Sequence, residues 1–250
     1  MAASHEIFRL DGLGAVVTGG ASGIGRATAR LFGDMGATVT VLDRQSVTTE
    51  DDRPAPSTLQ VDISDPAQVA AAFDEIAARH PIDVLVNCAG IALRRPALDL
   101  EMADWDKVVA VNMTGSFLCA REAARHMIAG ANGGAIVNVA SIMGLSGGIY
   151  PNISYQTTKG AVVNMTRALA IEWAPHGIRV NAVAPTYVRT PFISALLDQP
   201  DIVRTIEDRT PLRRIAEPHE VAAAVLFLAS SAASMITGHT LPVDGGFLAQ

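Results

Sequence analysis

The feature that most constrains how this chain can fold is an alternation. Short runs rich in β-branched and aliphatic residues recur along it, and longer stretches with helical periodicity fill the gaps. Runs at 15–18, 38–42, 58–61, 84–86, 135–139, 178–183 and 240–243 read as strands. Such runs, apolar on both faces, suit parallel strands covered by helices on each side. Segments 24–34, 66–79, 104–129, 155–174 and 218–229 read as helices, and Asp65 before Pro66 makes a good N-cap and first-turn pair. The alternation predicts an α/β architecture: a doubly wound sheet of about seven mostly parallel strands, with helices on both faces and right-handed crossovers. One connection departs from the pattern. Residues 43–58 are few and include Glu50, Asp51, Asp52, Pro54 and Pro56. A parallel crossover usually spans a dozen residues or more, often helical, so this one is expected to carry one helical turn at most. No linker rich in Gly, Pro or Ser divides the 250 residues, and a single domain over 1–250 is expected.

Composition narrows the setting. The chain is 49% hydrophobic and 18% charged, which excludes intrinsic disorder. A membrane-spanning helix needs about 20 largely apolar residues. The longest apolar run here, 221–229, is far shorter. The first ten residues contain His5, Glu6 and Arg9 and no apolar stretch, which argues against a secretory signal. The apolar excess is therefore expected to lie between subunits. A homotetramer follows, with helices 104–129 and 155–174 paired across one two-fold axis and the last strand across another. A net charge of −6 without a Lys/Arg block argues against nucleic-acid binding. Two cysteines, Cys88 and Cys119, form neither a disulfide framework nor a zinc site, and no metal is expected. As buried free thiols they suit a reducing cytoplasm.

Residues 18–25, Thr-Gly-Gly-Ala-Ser-Gly-Ile-Gly, join the first strand to the first helix. Glycines there allow a tight turn and a close approach of backbone to phosphate, and the helix N-terminus favours an anion. Gly19, Gly23 and Gly25 give G-x-x-x-G-x-G, which is neither the common G-x-G-x-x-G fingerprint nor a P-loop. The second strand ends at Asp43. A carboxylate at that point accepts hydrogen bonds from adenosine ribose hydroxyls and repels a 2′-phosphate, favouring NAD(H) over NADP(H). Ser22 offers no cation to such a phosphate, whereas Arg44 could swing towards one.

Tyr155 and Lys159 are four residues apart and share a helix face. An ammonium beside a phenol stabilises phenolate and is expected to lower its pKa, making the tyrosine usable as an acid/base. Ser141 follows the fifth strand at its carboxyl edge, where ligands bind in such sheets. Asn112 sits in an apolar helical stretch, where a polar residue needs either backbone partners or a role of its own.

Together these residues resemble the short-chain dehydrogenase/reductase family over essentially the whole chain. The resemblance rests on the glycine-rich turn, Asn87-Cys88-Ala89-Gly90, Asn112, Ser141, Tyr155-x-x-x-Lys159, the Asn-Ala-Val-Ala-Pro run at 181–185 and Val-Asp-Gly-Gly at 243–246. It implies a Rossmann-like fold and a reversible hydride transfer at a carbon bearing oxygen. Tyr155 would be the acid/base, and Lys159 would lower its pKa and hold the nicotinamide ribose. Ser141 would polarise the substrate oxygen, with Ser146 as a weaker rival, and Asn112 would hold a relay water. Gly19, Ser22, Gly23, Ile24 and Gly25 would cradle phosphate, and Asp43 with Arg44 would face the adenosine ribose. Asp62 and Ile63 would contact adenine, with Asn87, Ala89 and Gly90 lining the adenosine side. Pro185, Val188 and Thr190 would hold the nicotinamide carboxamide. Cys88 stands where the family often has a second Asn, and Thr186 where it usually has Gly.

The substrate pocket is expected from three loops, with Ser141, Met143, Tyr150 and Asn152 on one, and Tyr187 and Phe192 on a substrate loop at about 186–217. Segment 91–95 supplies the third, and its Arg94 and Arg95 are read as solvated, although either could bind a substrate carboxylate. Residues 185–218 are similar to those of bacterial dehydrogenases acting on polyols and sugar acids. The expected activity is NAD-dependent interconversion of a secondary alcohol and its ketone. A 3-oxoacyl thioester reductase is the alternative, with Arg121, Arg125, Arg213 and Arg214 as hints of a carrier-docking surface. A non-catalytic dinucleotide sensor is a remoter one.

Overall fold

The computed structural model describes residues 6–46 and 56–250. Seven strands form one sheet: β1 (Gly14–Thr18), β2 (Thr38–Asp43), β3 (Ser57–Gln60), β4 (Val84–Asn87), β5 (Gly134–Val139), β6 (Ile178–Pro185) and β7 (Thr240–Val243). Their order is β3-β2-β1-β4-β5-β6-β7, and every neighbouring pair is parallel. The order reverses between β1 and β4, which opens a crevice at the carboxyl edge of the sheet between them.

The strand pattern explains the two-sided core. On one face Val16, Leu42, Leu85, Ile136 and Val180 pack with helices α2 (Pro66–Ala77), α4 (Ser116–Gly130) and α5 (Ile153–Trp173). On the other, Ala15, Val17, Val41, Val86 and Val137 pack with α1 (Gly23–Asp34) and α8 (Pro218–Ala229). Phe73 and Phe32 are fully buried on opposite faces, and a side chain of that size contributes about 1.5–3 kcal/mol. A third apolar cluster, with Ile142, Met143, Tyr187, Ile206 and Phe247, lies beyond the carboxyl edge. Asp65 caps α2 as expected, accepting from the N–H groups of Ala67 and Gln68.

Two expectations need correction, a third gains detail and a fourth falls outside the described residues. The helix read at 104–129 is α3 (Met102–Val109) and α4 separated by a π-helical segment, Ala110–Gly115. Asn112 pins that segment sideways, and a Cβ on Gly115 would come within 2.9 Å of Ile63. Double cover holds for the five central strands only, because the edge strands β3 and β7 are partly exposed throughout. The substrate loop contains α6 (Ser194–Leu197) and α7 (Pro200–Asp208). The short connection from β2 to β3 runs through 47–55, outside the described residues, as does the helical turn allowed there. Among the described residues no helix is long and apolar enough to cross a membrane.

Candidate active site

The crevice at the switch in strand order opens into a cleft of about 360 Å³. One end is the glycine-rich turn. Gly23 has φ +53°, a left-handed conformation, and a Cβ on Gly25 would fall 2.2 Å from the Gly19 carbonyl oxygen. Ser22 is the N-cap of α1 but makes no side-chain cap bond, so no side chain of the turn covers the first helical turn. Asp43 anchors this end. One carboxylate oxygen accepts from the Ala21 N–H at 3.0 Å and the other from the Gln45 N–H at 2.9 Å. Arg44 lies 3.9 Å from Asp62, whose carboxylate also accepts from the N–H and hydroxyl of Ser64 and sits below the usual range.

The other end is built by α5 and the turn after β5. Ser141 caps that turn, its Oγ accepting from the Met143 N–H at 3.1 Å. Ser146, its rival in the sequence, is spent on the Ile142 carbonyl and the Gly148 N–H. Tyr155 is pushed up to about 12, chiefly by burial; the Ser141 hydroxyl and the charge of Arg94 act the other way. Lys159 Nζ lies 5.6 Å from the Tyr155 ring centroid and donates to the Val139 carbonyl at 2.5 Å. Burial lowers its pKa to about 8. The expected depression of the Tyr155 pKa is therefore reversed in this structure, because loss of solvent outweighs the favourable charges.

The other residues marked in the sequence fall into place around these two ends. Gly19, Gly23, Ile24, Gly25, Arg44, Asp62, Ile63, Ala89, Gly90, Pro185, Val188 and Thr190 line the cleft, and so do Met143, Tyr150, Asn152, Tyr187 and Phe192. Asn87 does not, contrary to expectation. It is buried beneath the cleft, with its amide donating to the Ser116 carbonyl and to Asn138 Oδ1, each at 3.0 Å. Asn112 is also buried below it. Its Oδ1 accepts from the Ile91 N–H at 2.8 Å, and its Nδ2 donates to the Ile91 carbonyl and Thr158 Oγ1. Both amide protons are used, so its side chain holds the loop after β4; its Oδ1 and Lys159 Nζ flank Gly90, 3.3 and 3.7 Å from where a Cβ there would stand.

Thr18 was given no role from the sequence, and Arg94 was placed on a pocket segment but read as solvated. Thr18 Oγ1 accepts from the N–H groups of Cys88 and Ala89, both at 3.1 Å, which ties the glycine-rich turn to the loop after β4. Its signal was the hydroxyl placed directly before Gly19. Arg94, read as solvated, lines the cleft instead. Cys88 lines it as well, with its thiol raised to about 11 by burial.

A family model described as enoyl-(acyl carrier protein) reductase matches residues 19–248. Galactitol 2-dehydrogenase (L-tagatose-forming) of Cereibacter sphaeroides is 44% identical over 97% of this chain and 98% of its own length. The chain belongs to the short-chain dehydrogenase/reductase family. An NAD-dependent glycerol dehydrogenase of Listeria innocua is 42% identical over 96% of this chain and 95% of that protein. A gluconate 5-dehydrogenase from Burkholderia cenocepacia, crystallised with NADP and tartrate, superposes with a TM-score of 0.94 at 37% identity, covering 99% of this chain and all of that one. Polyol and sugar-acid dehydrogenases are among its relatives in that oxidoreductase family.

Proposed function

We propose that this protein is an NAD(H)-preferring dehydrogenase that interconverts a secondary alcohol of a polyol, sugar acid or hydroxy acid and the corresponding ketone. The observation that carries this reading is the convergence of Ser141, Tyr155 and Lys159, with Lys159 Nζ 5.6 Å from the Tyr155 ring centroid, at one end of a cleft whose other end is a turn open to phosphate. The cradle fits a dinucleotide. The N-terminus of α1 is free of a side-chain cap, and a Cβ at Gly23 would meet Thr190 Cγ2 at 3.0 Å. Gly19, Ser22, Gly23, Ile24 and Gly25 would hold the pyrophosphate, and Asp43 the adenosine ribose. Asp62, Ile63, Ala89 and Gly90 would flank adenine and its ribose. Lys159 would hold the nicotinamide ribose, and Pro185, Val188 and Thr190 the carboxamide. Bound nicotinamide supplies one chemistry, acceptance or release of a hydride. Ser141 donates to the substrate oxygen. Tyr155 takes the hydroxyl proton as the carbon loses its hydride, and returns it in reduction. Lys159 stabilises the phenolate once its ammonium is released from Val139. Asn112 supports the site from below by fixing Ile91.

Asp43 favours NAD(H), and Arg44 leaning towards Asp62 supports the same preference. The carrier-protein reading loses its support. Arg121 and Arg125 share Glu122, Arg213 pairs with Asp208 and Arg214 with Glu220, so three carboxylates offset all but one of the four positive charges. The proposal extends to a single-domain homotetramer in the cytoplasm, where Cys88 and Cys119 stay reduced. The test is an NAD⁺ reduction screen over polyols, sugar acids and hydroxy acids at alkaline pH, repeated with NADP⁺ and with Tyr155→Phe. Turnover in the wild type, lost in the variant while NADH binding persists, supports the reading. Substantial turnover by Tyr155→Phe would remove the acid/base assignment.

A further inference from the structure

Arg94 stands on the loop after β4, at the substrate end of the cleft. Its guanidinium carbon is 5.7 Å from the Phe192 ring centroid and 5.9 Å from that of Tyr150. Nη2 donates to the Phe192 carbonyl at 3.3 Å. The Phe192 ring in turn lies 5.8 Å from that of Tyr155, so the cation is one ring away from the reacting phenol. Nε is shielded from solvent and has no hydrogen-bond partner. Among the described residues no carboxylate pairs with Arg94, whereas neighbouring Arg95 has Asp104 at 3.6 Å. Asn152 Oδ1 and the Tyr187 hydroxyl are likewise buried without partners and line the same cleft.

A buried donor left unpaired is costly, and ring faces compensate a guanidinium only in part. The planar fork matches a carboxylate, which supplies two acceptors and the missing charge together. A neutral hydroxyl supplies neither the geometry nor the charge. We infer that Arg94 binds a carboxylate of the substrate, while Asn152 and Tyr187 receive its hydroxyls, so that the enzyme acts on a hydroxy acid or sugar acid in preference to the matching neutral polyol. This rests on the dehydrogenase reading above and goes further by choosing among its substrates.

The experiment compares pairs differing only in carboxylate against hydroxymethyl: gluconate with sorbitol, galactonate with galactitol, threonate with threitol. Initial rates are measured with NAD⁺ and NADP⁺ for the wild type, Arg94→Leu and Arg94→Lys, with NADH fluorescence titration and thermal melting as checks on folding. In the best pair the wild type should favour the acid about tenfold or more in kcat/KM. Arg94→Leu should lower kcat/KM for the acid about 30-fold further than for its polyol, mostly through KM, the scale of one charged bidentate pair. Arg94→Lys should recover part of that loss. Preference for the polyol in every pair overturns the inference and leaves the dehydrogenase reading standing. Equal losses on both members also overturn it, because they make Arg94 a staple to Phe192. No oxidation of either member of any pair with either cofactor overturns both readings.

Discussion

At the residue scale, two side chains make predictions that their neighbours sharpen. Asp43 not only faces the expected ribose position but also holds the Ala21 N–H. Asp43→Ala should therefore shift the ratio of kcat/KM for NAD⁺ over NADP⁺ towards NADP⁺, and should also destabilise the protein by about 1 kcal/mol through the lost backbone bond. Steady-state kinetics with both cofactors check the first part; an unchanged ratio would leave Asp43 with the structural role alone. Tyr155, raised to about 12 by burial, is protonated at neutral pH. Oxidation needs phenolate beside the Lys159 ammonium and reduction needs phenol, so alcohol oxidation should speed up from pH 7 to about 8, where Lys159 loses its proton, and then level off, while ketone reduction does not speed up. A pH–rate profile in both directions tests this, and an oxidation rate that falls over that range contradicts the acid/base role. That Tyr155, Lys159 and Ser141 meet in one cleft could be read from the chain, because their placement depends on helix spacing and on the end of a strand. Arg94 could not. Its neighbours Tyr150 and Phe192 are distant in sequence, and only loop packing brings the three together.

At the element scale, strands and most helices were legible because burial follows a periodicity that sequence displays. The π-helical segment was not, since it depends on Asn112 reaching across to Ile91. Helix α7 was missed for a different reason: Pro200 and the short preceding turn resemble loop, although Ile206 proves fully buried. The C-terminus of α8 shows how one strand residue stabilises a helix on the far side of the chain. Arg179 on β6 donates to the carbonyls of Leu228, Ala229 and Ser230, capping orphan acceptors at the negative end of the helix dipole. Arg179→Met keeps the length of the side chain and removes the donors. It should cost about 1–3 kcal/mol in denaturant unfolding while leaving the cofactor preference unchanged. A midpoint equal to that of the wild type would show that water replaces these bonds without cost.

At the scale of the whole molecule, Phe117 and Ile128 on α4 and Ile171 on α5 are exposed, Ile171 at 79%, and Met235 near β7 is exposed at 97%. These positions agree with the two faces proposed for assembly. Light scattering at micromolar concentration should give four times the 26.2 kDa chain mass, and a monomer would refute the tetramer. The sheet itself sets a condition on how such copies meet. The carbonyls of His239 and Val243 accept from β6, so by alternation the backbone groups of Thr240 and Pro242 face away from the sheet. Pro242 has no N–H to offer there. An incoming strand would find a donor missing in the middle of the four-residue edge. Strand β7 thus ends the growth of its own sheet, and copies that meet along it must be held by side chains instead of a continuous ladder, which also denies misfolded chains a template on that side.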